Sequence, residues 1–217
     1  MKKLLLTLMI LLTGCASQVT NVKVPGIERS ESLRVKDMRP EIEKQSEIFS
    51  LSISNDAYAI YRVAESAVAP PAIRILQHNL FEKLGTGAQA PEVKVMHLVI
   101  YQNRQSELRQ SVIGAAIGGV LGSLAAGQAT TDPTGVANSL VDSKAFESLA
   151  STEFKRALYT EQENPGRGSV YVIYIETEVQ GKRVFTRGVA PIKAKADESP
   201  FAFALESSMK FHLSQYQ

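Results

Sequence analysis

The fold is decided by residues 170–189, which read VYVIYIETEVQGKRVFTRGV. Both halves of this stretch are rich in β-branched and aromatic residues, as strands usually are. Gln180-Gly181 separates the halves and is suited to a two-residue turn. The sequence therefore predicts a β-hairpin made of Val170–Val179 and Lys182–Val189.

A helix is predicted directly after this hairpin, in residues 199–213, which read SPFAFALESSMKFHL. Ser199 is suited to the N-cap and Pro200 to the first helical position. Large apolar residues then recur at steps of four, which places them on one face of a helix. They are Phe201, Leu205, Met209 and Leu213.

A second helix and a central strand are predicted upstream of the hairpin. Pro70-Pro71 suits a helix start, and Gly85 suits its end after an apolar stripe from Ile73 to Leu84. The next run, Val93–Tyr101, is apolar at nearly every position. Such a run is typical of a central strand that is covered on both faces.

Three further strands and a third helix complete the predicted domain. The strands are Leu33–Asp37, Ile48–Ile53 and Tyr58–Val63, and the helix is Ser143–Tyr159. Strands and helices in this order predict an α+β fold: a mainly antiparallel sheet with helices packed on one face. A glycine-zipper apolar helical insertion is predicted to interrupt it.

The N-terminus has the features of a secretory signal. Lys2 and Lys3 precede a short apolar run, Leu4–Leu12, which is too short for a permanent membrane span. The run ends in residues that resemble the lipobox of bacterial lipoproteins: Leu12, Thr13, Gly14 and Cys15.

This resemblance implies cleavage before Cys15, a diacylglycerol on its thiol and an acyl chain on its new amino group. No other cofactor is expected. Ala16 and Ser17 follow the cysteine, and neither is an aspartate. In enteric-type lipoproteins an aspartate there favours the inner membrane, so the outer membrane is expected, with the domain facing the periplasm. We divide the chain into a signal peptide (1–14), a lipidated tether (15–32) and a folded domain (33–217).

Composition supports the same class of protein. Cys15 is the only cysteine, so no disulfide can form within the chain. The formal charge of +2 is cancelled when Lys2 and Lys3 are removed with the signal peptide. A near-neutral mature chain offers no electrostatic basis for binding nucleic acid.

The most unusual segment is residues 110–131, which contain no charged side chain. Small residues recur within it at every fourth position, namely Gly114, Gly118, Gly122 and Ala126. In a helix this row is a smooth stripe that allows a second helix to approach closely. The segment predicts a membrane-inserted or oligomer-forming helix, with a buried core helix or a packed Gly-Ala loop as the alternative.

Two groups of lipoproteins resemble this chain in architecture. In the YajG-type family a lipobox is combined with an early strand followed by Asp-Arg-like residues, here Val35–Arg39, and with a closing strand-hairpin-helix, here Val170–Phe211. The TraT-type surface-exclusion lipoproteins have Gly-Ala-rich apolar insertions after a strand and charged residues, here Val93–Arg109. TraT-type proteins have more than one insertion, whereas this chain has one. The resemblance implies an outer-membrane homo-oligomer.

Sequence motifs of catalysis are weak here, and we predict no catalytic residues and no metal ligands. His78, His97 and His212 lack the spacing of metal ligands. His97 is expected to be a hydrogen-bonded core or edge residue. Ser207 and Lys210 match Ser-x-x-Lys, a pattern that is common by chance on an amphipathic helix.

The predicted function is that of a non-enzymatic envelope protein, anchored in membrane lipid, that self-associates through the zipper. The alternative is an auxiliary lipoprotein subunit that binds an envelope transport or secretion complex.

Overall fold

A computed structural model describes residues 19–53, 56–85, 91–104, 130–131, 135–166, 168–193 and 199–216. The strands are β1 (Thr20–Asn21), β2 (Val35–Asp37), β3 (Glu47–Ile53), β4 (Asp56–Arg62), β5 (Val68–Ala69), β6 (Val93–Asn103), β7 (Thr130–Thr131), β8 (Ala137–Leu140), β9 (Val170–Val179) and β10 (Lys182–Pro191). The α-helices are α1 (Ala72–Leu84), α2 (Ser143–Ser148) and α3 (Pro200–Ser214). Short 3-10 helices lie at Ile27–Ser32, Glu41–Lys44, Glu65–Ala67 and Ala150–Ala157.

One mainly antiparallel sheet dominates the described part of the chain. Its strand order is β3-β4-β6-β9-β10-β8-β7, and β2 pairs in parallel with the first residues of β6. A separate pair is formed by β1 and β5. The predicted α+β class with a mainly antiparallel sheet is confirmed.

The predicted hairpin is present and forms the centre of the sheet together with β6. Val179 pairs with Lys182, and the register continues without a shift to Val170 and Pro191. Gln180 and Gly181 have φ values of 51° and 80°. Two successive positive φ values are the geometry of a type I′ turn, which matches the twist of the flanking strands.

The sheet is covered on both faces, as the apolar pattern of β6 predicts, so the prediction of helices on one face only is wrong. The two long helices, α1 and α3, share one core with alternate residues of β6 and β9, including Val95, Leu98 and Ile173. A β-bulge between Val95 and His97 shifts the alternation, so that Val95 and Leu98 face the same side. We call this side the helix face.

The opposite side, which we call the loop face, is covered by α2, the 3-10 helix Ala150–Ala157 and the residues that follow. The prediction of one continuous helix over Ser143–Tyr159 is wrong. Helix α2 ends at Ser148, and Thr152 has non-helical φ and ψ of −131° and 48°. Phe146 before the break and Leu158 after it both pack in the core of the loop face.

The stretch 15–32, expected to be a tether, is folded in its described part. Strand β1 pairs in parallel with β5, and Val22 and Val24 pack against the core of the helix face. Arg29 forms an ion pair with Glu82 of α1. Alternating valines in an otherwise polar stretch can be buried along one side, and this is why the domain begins earlier than composition suggests.

Candidate functional site

The lipobox residues and the zipper residues predicted from the sequence lie outside the described ranges. Leu12, Thr13, Gly14 and Cys15 precede Val19, where the description begins, and Gly114, Gly118, Gly122 and Ala126 lie between Arg104 and Thr130. The predicted zipper insertion is therefore not shown. No α-helix in the described ranges is both long and apolar enough to cross a bilayer.

Strands β6 and β7 flank this insertion in sequence. The last residue of β6 and the residues of β7 both lie near the same end of the sheet. Asn103, the last residue of β6, pairs with Val170, which in turn pairs with Pro191. We call this the Asn103 end. Thr130 of β7 pairs with Asn138, and Asn138 pairs with Gly188, only three residues from Pro191 along β10. The chain thus leaves the sheet and returns to it near the same end.

The start of α3 lies at the same end. The Phe201 ring packs edge-on against Tyr171, with 5.4 Å between ring centroids, and Tyr171 pairs with Gln102. Ser199 caps the helix by accepting a hydrogen bond from the backbone N–H of Ala202. The predicted N-cap and the proline in the first turn are confirmed.

A groove of about 540 Å³ opens between α1, the first half of α3 and the N-terminal segment 21–25. This volume lies within the range of small-molecule sites. Its apolar lining comes from Val22, Val24, Ile75, Ala202 and Leu205, and its polar lining from Asn21, Lys23, His78, Asn79, Ser199 and Glu206. The first folded residues after the proposed lipid anchor therefore form one wall of the groove.

Among the residues that line the groove, His78 is unusual in its burial and hydrogen bonding. It is 8% exposed, and its Nδ1 atom is buried without a hydrogen-bond partner in the described structure. A buried polar atom without a partner costs free energy. Asn79, one residue further, uses its side-chain amide to donate to the Ile75 carbonyl oxygen at 2.9 Å.

His97 lies on the loop face between two carboxylates. Its Nδ1 is 2.6 Å from Oε1 of Glu43, and its Nε2 is 3.6 Å from Oε2 of Glu176. Glu176 also accepts hydrogen bonds from Ser143 and Arg183. The expected hydrogen-bonded role of His97 is confirmed.

This cluster does not form a metal centre. The two carboxylates contact opposite nitrogens of one imidazole ring, so they cannot converge on a single ion. Within the described ranges no group of three or more His, Cys, Asp or Glu side chains is placed to hold a metal ion. The Ser143 hydroxyl donates its hydrogen bond to the Glu176 carboxylate, at 2.9 Å.

His212 is enclosed between α3 and the sheet. Its Nε2 is 2.7 Å from Oγ1 of Thr177, and its Nδ1 is 2.8 Å from Oγ1 of Thr186. Burial lowers the pKa of His212 from 6.5 to about 3. The ring is therefore neutral at physiological pH and acts as a hydrogen-bonded core residue.

Asp37 and Arg39 form a pair at the end of β2. The Arg39 guanidinium donates two hydrogen bonds of 2.8 Å to the Asp37 carboxylate, and it also contacts Glu65. Burial alone would raise the pKa of Asp37, but the hydrogen bonds from Arg39 lower it overall. The pair ties β2 to the 3-10 helix Glu65–Ala67, which is a structural role.

Sequence reasoning missed the groove because its walls come from distant parts of the chain. The alternation of Val22 and Val24 in the segment 20–25 was the available signal. Comparisons with family models, curated proteins and solved structures found no match.

Proposed function

We propose that this chain is a non-enzymatic lipoprotein of the bacterial outer membrane, anchored by acyl chains on Cys15 and facing the periplasm. It self-associates through the row of small residues at Gly114, Gly118, Gly122 and Ala126. The observation that carries the proposal is the shared position of two features. The segment 21–25 that follows Cys15 lines a groove together with the first turns of α3, and α3 starts at the Asn103 end, where β6 leads into the uncharged segment.

The proposed lipid anchor is close in sequence to the first folded residues. Cys15 is four residues before Val19, so its Cα lies within about 14 Å of the Cα of Val19. Thr20 and Asn21 are fixed by pairing with β5, and Val22 contacts the core. A lipid on Cys15 would therefore hold the domain close to the bilayer, with the Asn103 end toward the membrane.

The topology of the sheet limits how the uncharged segment can meet the bilayer. Strands β6 and β9 lie on either side of the uncharged segment in sequence and pair with each other over most of their length. A single membrane crossing between them would place these strands on opposite sides of the bilayer, which the pairing forbids. Two crossings as helices would leave about eleven residues each, or about 16 Å, against about 30 Å of hydrocarbon. We therefore propose contact with a second copy at the membrane surface, without a full span.

The anchor is tested with Cys15→Ser, and Ser17→Ala is the matched control. We expect the wild type and Ser17→Ala to incorporate radiolabelled palmitate and to fractionate with the outer membrane. Cys15→Ser should incorporate none. Palmitate incorporation into Cys15→Ser, or its absence from the wild type, would contradict the proposal.

The interface is tested with Gly118→Leu, and Ser123→Leu is the control because it places the same leucine side chain outside the four-residue row. We expect crosslinked oligomers to be lost in Gly118→Leu and kept in Ser123→Leu. Two bulky side chains at a close helix contact prevent backbone approach. Oligomers that survive Gly118→Leu unchanged would refute the zipper as the interface.

A second candidate is the auxiliary subunit of an envelope complex. Met38, Ile42 and Ile48 are large apolar residues with exposures of 44%, 52% and 66%, and they lie within eleven residues of one another. If these side chains form one patch, such a patch would favour a protein partner. A stable heteromeric partner in detergent pull-downs, lost in Ile42→Asp, together with a monomeric wild type would support this candidate over self-association.

A further inference from the structure

We propose that the groove between α1, α3 and the segment 21–25 binds a single-chain zwitterionic phospholipid, of the lysophosphatidylethanolamine type. Its acyl chain would lie on the apolar lining, and its phosphate and ammonium would face Lys23 and Glu206. The inference rests on the proposed membrane location for the source of the lipid, but the binding site itself is defined by described residues.

The apolar lining defines the acyl part of the ligand. Ile75 and Leu205 are buried residues of the helix-face core, with exposures of 4% and 1%, and both also line the groove. Val22 and Val24 close it from the side of the N-terminal segment. A strip of branched side chains and alanine offers no hydrogen-bond partner, so a hydrocarbon chain suits it better than a polar ligand.

The charges of the groove define the head group. Lys23 and Glu206 are both exposed and both line the groove. The ion pairs between described residues include neither Lys23 nor Glu206. A cation and an anion in one groove that do not pair with each other are complementary to a ligand that carries both charges. A purely anionic head group would be repelled by Glu206, and a purely cationic head group would be repelled by Lys23.

The remaining polar residues suit the ester and glycerol oxygens of such a lipid. Asn21 and Ser199 can both donate hydrogen bonds into the groove. His78 lines the same groove and has a ring nitrogen without a partner. A bound oxygen would offer that ring a partner that the described residues do not.

The experiment uses the full-length lipidated protein in outer-membrane vesicles and a photoactivatable lysophosphatidylethanolamine. After irradiation, adducts are located by mass spectrometry. We expect adducts on the α1 and α3 residues of the groove, and fewer with lysophosphatidylglycerol, which lacks the ammonium. Equal labelling by the two lipids would overturn the assignment of the head group.

Two sets of variants test the site itself. Lys23→Gln and Glu206→Gln should each lower labelling about fivefold, as for loss of an exposed ion pair, while Lys36→Gln and Lys210→Gln should leave it unchanged. Ala202→Trp, which fills the groove, should lower it more than tenfold, or about 1.4 kcal/mol of affinity or more. Unchanged labelling in both charge variants would overturn the proposal even if Ala202→Trp failed to fold.

Two other outcomes separate this proposal from its rivals. Both the wild type and Cys15→Ser are also labelled as purified proteins in detergent. Labelling that appears only in Cys15→Ser would show that the protein's own acyl chain fills the groove, which overturns binding of a free lipid. Adducts spread evenly over the surface would show bulk bilayer contact, which also overturns it. Failure of the proposed function is detected separately, because palmitate incorporation and oligomer formation do not depend on the groove variants.

Discussion

The two faces of the central sheet are closed in different ways. On the helix face, α1 and α3 satisfy their own backbone hydrogen bonds, and contacts are mainly between apolar side chains. On the loop face, α2 and a 3-10 helix cover the sheet with irregular backbone, and buried arginines lie among the apolar residues. The difference follows from the type of cover and not from the sheet, because the same strands contribute to both faces.

Irregular backbone needs hydrogen-bond donors from elsewhere when it is buried. The loop face supplies them from side chains. The Arg156 guanidinium donates to the Phe146 carbonyl oxygen, the Tyr174 hydroxyl to that of Arg156, and the Asn103 amide to that of Ala157. Burial raises the pKa of the Tyr174 hydroxyl, which therefore remains a donor at all physiological pH values.

The largest loss in the free energy of unfolding is expected from Arg187→Met, which removes a buried arginine from the loop face. Arg187 donates to the Leu158 carbonyl oxygen at 2.6 Å and forms a buried ion pair with Glu163. Burial lowers the pKa of Arg187, and Glu163 supplies the opposite charge. Methionine would leave Glu163 buried without its partner, at a cost of about 3–5 kcal/mol. Urea denaturation measures the free energy of unfolding.

Lys210→Met is the control for that change, because Lys210 is an exposed residue of α3. It should alter the free energy of unfolding by less than about 0.5 kcal/mol. Equal losses in the two variants would mean that the loop face does not depend on its buried charges.

The second-largest effect on the free energy of unfolding is expected from His212 on the helix face, and it appears only at acidic pH. The pKa of His212 is lowered from 6.5 to about 3, so the unfolded chain binds a proton below pH 6.5 that the folded chain does not. Stability therefore falls as the pH drops from 6.5 toward 3. Between pH 7 and pH 4 the titration of His212 should lower the free energy of unfolding by about 3 kcal/mol.

His212→Gln keeps a neutral hydrogen-bonding side chain and removes the titration. Urea denaturation at both pH values should show a smaller acid loss in this variant than in the wild type, by about 3 kcal/mol. Identical acid losses would contradict the neutral, enclosed state of His212.

A smaller effect is expected where α3 approaches the sheet most closely. A Cβ added to Gly188 would overlap the Ser208 hydroxyl and lie 3.0 Å from the Ser208 Cβ. Gly188→Ala should therefore lower the free energy of unfolding by about 1–3 kcal/mol, the usual cost of overpacking.

Gly168→Ala is the matched control, because no atom lies within 4 Å of the position of its Cβ. Ser208→Gly in the Gly188→Ala background should recover part of the loss, since it removes both overlapping atoms. A Gly188→Ala protein as stable as Gly168→Ala would show that α3 can shift away from the sheet at no cost.

Local sequence patterns predicted the elements whose stability is local. The hairpin 170–189 and the N-cap at Ser199 need only alternation, turn chemistry and a capping hydroxyl, all of which neighbouring residues supply. The loop face could not be predicted in this way. The residues on either side of the break at Thr152 pack against distant strands, and the role of Arg187 depends on a carbonyl oxygen 29 residues away.

The pairing of β6 with β9 across residues 104–169 also has a consequence for folding and divergence. The β9–β10 hairpin joins neighbouring residues and is expected to form early, whereas β6 must close a long loop before it can join. The entropy of that closure grows only logarithmically, by about 0.6 kcal/mol for each doubling of length. The segment between β6 and β7 can therefore be lengthened, shortened or exchanged with little effect on the equilibrium stability of the sheet, and the scaffold can accept a new appendage without being rebuilt.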